Sequence, residues 1–222
     1  MMTYTFKSIN QFNIDQALDI QKSKTNTTKY GTITPSDEII NFGNQNWNTF
    51  HCVQQQTHKT TIFIGTHPYE EYDVHNEFNI YVNSRRTMLI AVGSSKVVSA
   101  FLKKINEVLD DKVSLNAVQF DFDRISNRLA SVKQAWFSPN VSGLTAKGYM
   151  GLGVKNQPDV VQAIEDHTAT YLGVSIDIDN IARSIGFSQK GAIVLINAHQ
   201  PLSNYEKINL IYTTYRYVTG NN

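Results

Sequence analysis

With 222 residues, 41% hydrophobic and 18% charged, the chain can build one sizeable core or two small ones, and its composition excludes disorder as the default state. Its 20 basic and 19 acidic side chains leave a formal net charge of +1, so no overall field draws it to nucleic acid or to an anionic membrane. The single cysteine, Cys52, excludes an intramolecular disulfide, and no apolar run nears the ~20 residues of a bilayer span, the longest being residues 88–92.

The opening residues carry no basic stretch followed by an apolar one, so a cytoplasmic protein without membrane contact is expected. Abundant Asn, Ile, Lys and Tyr point to an AT-rich bacterial or phage genome. Residues 1–60 are polar and weakly periodic, with an expected strand at 4–9 and an expected helix around 14–20. Pro35-Ser36-Asp37-Glu38 reads as a helix start, because a serine caps free amides and acids suit the positive end of the dipole. A short helix to about Phe42 should follow, and then a loop over 43–48 with Trp47 as an aromatic plug.

Short β-branched and aromatic runs at 61–65, 78–82 and 87–92 predict strands, the last two joined as a hairpin through Asn83-Ser84-Arg85-Arg86. Val97, Val98, Phe101, Leu102, Ile105, Val108 and Leu109 have the spacing of an amphipathic helix that starts after Ser94-Ser95. A strand over 115–122 comes next, and Ile125, Leu129, Val132 and Trp136 mark a second helical stripe. A strand at 150–154, a helix through Val160 and Ile164, a strand at 192–196 and a closing helix from Tyr205 to Val218 complete the reading.

Val97-Val98-Ser99-Ala100-Phe101 resembles Val160-Val161-Gln162-Ala163-Ile164, and a strand ending in paired aspartates follows each. The order strand, helix, strand, short helix thus occurs twice, at 88–137 and 149–187, as an internal duplication or as chance likeness between amphipathic elements. The expected fold is α+β: a mainly antiparallel sheet with helices packed on one face, residues 61–222 forming the core and 1–60 packing on it.

The paired aspartates of VQFDFDRI (118–125) and VSIDIDNI (174–181) carry the sharpest chemical reading. On a strand, Asp121 and Asp123 share a face, as do Asp177 and Asp179, and two carboxylates so placed suit Mg²⁺ and phosphoryl transfer. Residues 117–122 resemble the hhhDhDh strand of the archaeo-eukaryotic primases, which also use a later histidine, for which His199 is the candidate, and a third acid. Haloacid-dehalogenase-type phosphatases place Gly-Thr after their second aspartate, where this chain has Arg124-Ile125 and Asn180-Ile181. The competing reading makes Asp123 and Asp179 helix caps, which explains why the motif recurs at the same point of each unit.

Other clusters point to blander roles. His67, Glu70, Glu71, Asp73 and His75 lack the tight spacing of a zinc site and read as a polar loop. His51 and Cys52 are neighbours that point apart on an extended chain. Gly143, Gly148, Gly151 and Gly153 break the P-loop pattern, and Asp110-Asp111-Lys112 is a turn. Arg85, Arg86, Lys96 and Lys103 would make a partner-binding patch if the hairpin turn lay near the start of the helix, with Glu107 partly neutralising Lys103. The resulting expectation is a non-enzymatic binding or regulatory protein without cofactor, with a protein partner and at most weak nucleic-acid binding; the alternative is a Mg²⁺-dependent phosphoryl-transfer or nucleotide-handling enzyme.

Overall fold

The computed structural model describes residues 2–128, 131–139, 142–178, 180–198 and 200–220. The architecture is α+β and mostly antiparallel sheet, in two compact units. One unit comprises residues 8–41 and 45–116, the other 1–7, 42–44 and 117–222. The first strand, β1 (Thr3–Phe12), gives residues 3–7 to the latter and 8–12 to the former.

In the unit of residues 8–41 and 45–116, the strands are β2 (Leu18–Gln21), β3 (Lys29–Phe42), β4 (Gln45–His58), β7 (Tyr72–Asn83) and β8 (Met88–Gly93). They run in the order β1-β8-β7-β4-β3-β2; β9 (Val113–Ala117) pairs with β1, and β5 (Ile62–Ile64) with β6 (His67–Tyr69) forms a separate hairpin. The longest seam joins β4 to β7, from Trp47↔Asn83 to His58↔Tyr72, and β7 then turns into β8. Phe50 and Cys52 of β4, Phe78, Ile80 and Val82 of β7, and Leu89 and Ala91 of β8 meet Val98, Phe101, Leu102 and Ile105 of α1 (Ser95–Val108) in one buried cluster. Phe101 sits at its centre, edge-on to Phe78 at 5.1 Å and stacked on Tyr30 at 6.4 Å. Cys52 is buried here, which pushes its thiol pKa well up, while His51 faces out and bonds Asn79 at 2.8 Å.

Two expected helices in this unit do not form. Residues 36–42 belong to β3, where Ser36 Oγ accepts the Glu38 amide at 3.1 Å, a local turn bond in place of a helix cap. Pro35 is tolerated because β2 pairs with β3 only as far as Ile33 and leaves an edge beyond it. The helix expected around 14–20 is replaced by an extended segment ending in β2, although Ile14 and Ile20 are buried in the core. Trp47 is no loop plug but a fully buried residue of β4, and the turn is reduced to Gly43-Asn44, both at positive φ.

In the unit of residues 1–7, 42–44 and 117–222, the strands are β10 (Ser131–Phe137), β11 (Lys147–Met150), β12 (Ala169–Ile178), β13 (Ile181–Ser188) and β14 (Ala192–Asn197), in the order β11-β10-β12-β13-β14-β1. Its helices are α2 (Phe122–Arg128), α3 (Pro158–Glu165) and α4 (Asn204–Thr219), with a 3-10 turn at Val154–Asn156. Leu172, Val174, Ile185, Phe187 and Ile193 from the strands are buried, as are Ile211 and Tyr215 from α4. Tyr215 stacks on Phe6 at 4.4 Å, and Phe120 stands edge-on to both Tyr215 and Phe187. A capping box starts α4, with Ser203 Oγ accepting the Glu206 amide and the Glu206 carboxylate accepting the Ser203 amide; Gly220 ends the helix at φ 76°.

In this unit three expected elements differ. The stripe of Ile125, Val132 and Trp136 is split between α2 and β10, with Leu129 outside the described residues. The strand expected over 115–122 stops at Ala117, and Phe122 opens α2. After β12 the chain enters β13, so the short helix expected in the second copy of the repeat is a strand and the element orders of 88–137 and 149–187 diverge.

Two outcomes follow from local geometry. Gly43 and Gly65 both have left-handed φ, but a Cβ at Gly65 meets nothing within 4 Å while one at Gly43 runs into the Tyr212 ring. Gly65→Ala is expected to cost about 1 kcal/mol for the backbone conformation alone, and Gly43→Ala about 1–3 kcal/mol more, measured by urea unfolding; equal losses would show that the ring yields freely. Glu206 is exposed, and its carboxyl pKa lies below the usual range because of the Ser203 hydroxyl and then the Ser203 amide. A depressed carboxyl stabilises the fold above its unfolded pKa of about 4.3 and loses that contribution as pH falls through the folded value. The Tm gap between wild type and Glu206→Gln, positive at neutral pH, is expected to narrow across that acidic window.

Candidate functional site

The structure separates the aspartates that the sequence groups. Asp121 precedes α2, and its Oδ1 accepts the Arg124 amide at 3.0 Å, so Asp121, not Asp123, is the cap. Asp123 lies in the first helical turn and accepts from Asn127 Nδ2 at 3.0 Å. Neither aspartate is on a strand, so the alternation that would place them on one face does not apply. Asp177 is exposed on β12 opposite Ala182, and Asp179 and His199 lie outside the described residues. The residues after Asn180 are strand, so no helix starts there for an aspartate to cap.

Among the described residues, no group of three or more His, Cys, Asp and Glu side chains is gathered as a metal would require. His67 lies on β6, whereas Asp73 and His75 lie on β7, where Asp73 accepts from Thr57 Oγ1 at 2.7 Å and Gln55 Nε2 at 2.9 Å across the β4 seam. Those two bonds, Thr57's first, hold the exposed Asp73 carboxyl pKa below its usual value.

The basic residues do not converge either. Arg86 takes positive φ in the β7–β8 turn and spends its guanidinium on Phe12 O at 3.0 Å and Asp15 at 2.9 Å. Lys96 is in the first turn of α1, which starts where β8 ends, and the β7–β8 turn stands at the other end of β8. Six residues of extended strand separate the two by about 17 Å. Lys103 is exposed farther along α1, and Glu107 pairs not with it but with Lys104, three residues away, at 3.1 Å.

What the structure does gather is apolar. On β10, β11 and β12, Gln134↔Met150, Trp136↔Gly148 and Trp136↔Tyr171 are cross-strand partners, so these side chains share one face of the sheet. Three of them lie over glycines of the next strand: Trp136 over Gly148, Gln134 over Gly173 and Tyr171 over Gly186. A Cβ at Gly148 would stand only 2.6 Å from the indole, so the absence of a side chain is what lets the ring lie flat. The opposite face carries Phe137 stacked on Tyr149 at 6.1 Å, and the Tyr149 hydroxyl donates to Asp159 of α3 at 2.8 Å, beside the Lys147–Asp159 ion pair. Trp136 of β10 is 44% exposed, Met150 at the end of the edge strand β11 72%, and Leu152 in the turn that follows 86%. The sequence assigned Trp136 to a buried helical stripe. A register shift between Val132 and Gln134 changes the parity of β10 and turns Trp136 outward while Val132 points in.

The cap is tested by substitution. Asp121→Ala is expected to lower stability by about 1 kcal/mol and Asp121→Asn by a few tenths at most, whereas Asp123→Ala loses only an exposed bond to Asn127. Equal losses at 121 from both substitutions would overturn the capping role, with urea unfolding as the measurement.

Comparison with known proteins adds no kinship to this geometry: no protein-family model matches the chain, and neither a curated protein nor a solved structure matches it significantly.

Proposed function

We propose that the chain is a non-enzymatic binding protein that engages a protein partner through the face carrying Trp136 and Met150. The observation that supports this reading is the exposure of Trp136 and Met150 on one face at the edge of a sheet, with exposed Leu152 in the turn that follows, since large apolar groups are costly to leave in water without a partner. Helices α3 and α4 are taken to cover the other face, which would leave this one for binding. Tryptophan supplies large contact area at low ordering cost and methionine adapts to an irregular partner, and a short strand such as β11 also offers unpaired backbone groups for strand addition. A near-neutral chain whose Arg86 and Lys104 are both paired internally favours protein over nucleic acid as the partner. The Mg²⁺-dependent alternative loses Asp121 and Asp123 as paired strand carboxylates, because Asp121 serves as a cap and Asp123 lies in α2.

The two classes separate in one set of measurements. Calorimetric titration with Mg²⁺ or Mn²⁺ is expected to give no binding heat; heat that disappears in Asp121→Asn or Asp177→Asn would support the enzyme instead. Trp136 also serves as reporter, since Trp47 is fully buried and shielded. Acrylamide should quench Trp136 emission in the free protein and quench it less when the partner is bound. A protein from the host that is retained by wild type and lost with Trp136→Ser/Met150→Ser supports the reading. Retention unchanged by that double substitution rules this face out.

A further inference from the structure

Strand β13 carries Arg183 into the interior of the unit of residues 1–7, 42–44 and 117–222, where it is 5% exposed. Its Nη1 donates to Ala198 O at 3.1 Å, Nε is buried without a partner, and no carboxylate pairs with it among the described residues. A buried guanidinium that no described carboxylate pairs with is a costly arrangement, because the charge has lost its water. Beside it opens a cavity of about 500 Å³, within the range of small-molecule sites.

The cavity lining mixes two chemistries. Ile178, Ile181 and Leu202 contribute apolar surface, and Arg183, Glu206 and Asn209 polar groups. Asn209 Oδ1 accepts the Gly43 amide at 3.1 Å, which leaves its NH₂ as donor. The positive end of the α4 dipole adds a second attraction for negative charge. Glu206 also lines the cavity, its carboxylate held by the Ser203 amide and hydroxyl at 2.7 Å each, so among the described residues the site carries one negative charge as well as one positive. That balance repels a dianion and tolerates a monoanion.

We propose that this cavity binds a small organic monocarboxylate, its carboxylate on the Arg183 guanidinium and its apolar body against Ile178, Ile181 and Leu202. The planar fork of arginine matches a carboxylate edge, and the aliphatic side chains in the same lining suit an apolar body. This inference is independent of the Trp136 face.

Benzoate is the probe, titrated into the full-length chain by calorimetry and thermal melting against chloride at matched ionic strength, with inorganic phosphate as a second arm. Wild type is expected to show a saturable rise in Tm of roughly 2–4 °C at about five times Kd, and phosphate a weaker response. Arg183→Met should abolish the rise while melting no lower than wild type in chloride, since it removes a buried charge that no described carboxylate neutralises. Arg183→Lys keeps the charge without the fork, and benzoate affinity should fall about tenfold, the range of one charge-assisted bond. No rise in wild type, an undiminished rise in Arg183→Met, or phosphate binding tighter than benzoate would each overturn the proposal. Should Arg183→Met fail to fold, unchanged benzoate affinity in Arg183→Lys would overturn it on its own.

Discussion

The pairing of β4 with β7 is the constraint on which the unit of residues 8–41 and 45–116 depends. Twelve residue pairs in unbroken register satisfy backbone groups that would otherwise be stranded in the interior. The register also sets which side chains meet α1: Phe50 and Cys52 on one strand, Phe78, Ile80 and Val82 on the other. Shifting it by one residue would turn His51 and Asn79, now hydrogen-bonded outside, toward Phe101. The flanking strands inherit this register, β8 through the hairpin from β7 and β3 through its place beside β4.

That inheritance explains where local signals lose. Pro35-Ser36-Asp37-Glu38 has a serine, acids and a proline in the right order for a helix, yet a strand already lies alongside, and its ladder outweighs a cap that is worth about 1 kcal/mol. Serine's bond to the amide two residues on is the same chemistry with a different backbone. By contrast, α1 and α4 were legible because their apolar residues keep the helical spacing over several turns, a pattern that no strand reproduces. Shorter windows such as 14–20 and 125–136 fit either period. There the positions of the buried residues were readable and the element type was not, because tertiary pairing decides it.

The candidate site was legible in a different proportion. Paired aspartates stand out in a sequence, and the capping role was foreseeable, but a shift of two residues in the helix start moved it from Asp123 to Asp121. Exposure of Trp136 was not readable, because it depends on a register irregularity and on a glycine in the neighbouring strand. Arg183 was missed. As a strand, residues 181–188 place Arg183 on the face of the buried Ile185 and Phe187, but a lone arginine is ordinarily a surface residue, and a helical reading of this segment hid the alternation.

The buried Cys52 thiol makes the chain its own stopwatch. Thiol reagents attack the thiolate, and a side chain walled in by Phe50, Phe78 and α1 offers neither thiolate nor access while the fold is closed. Because it is the single cysteine, every labelling event counts one excursion in which this core has opened. The rate of modification thus measures how often β4 leaves its neighbours, without any engineered probe.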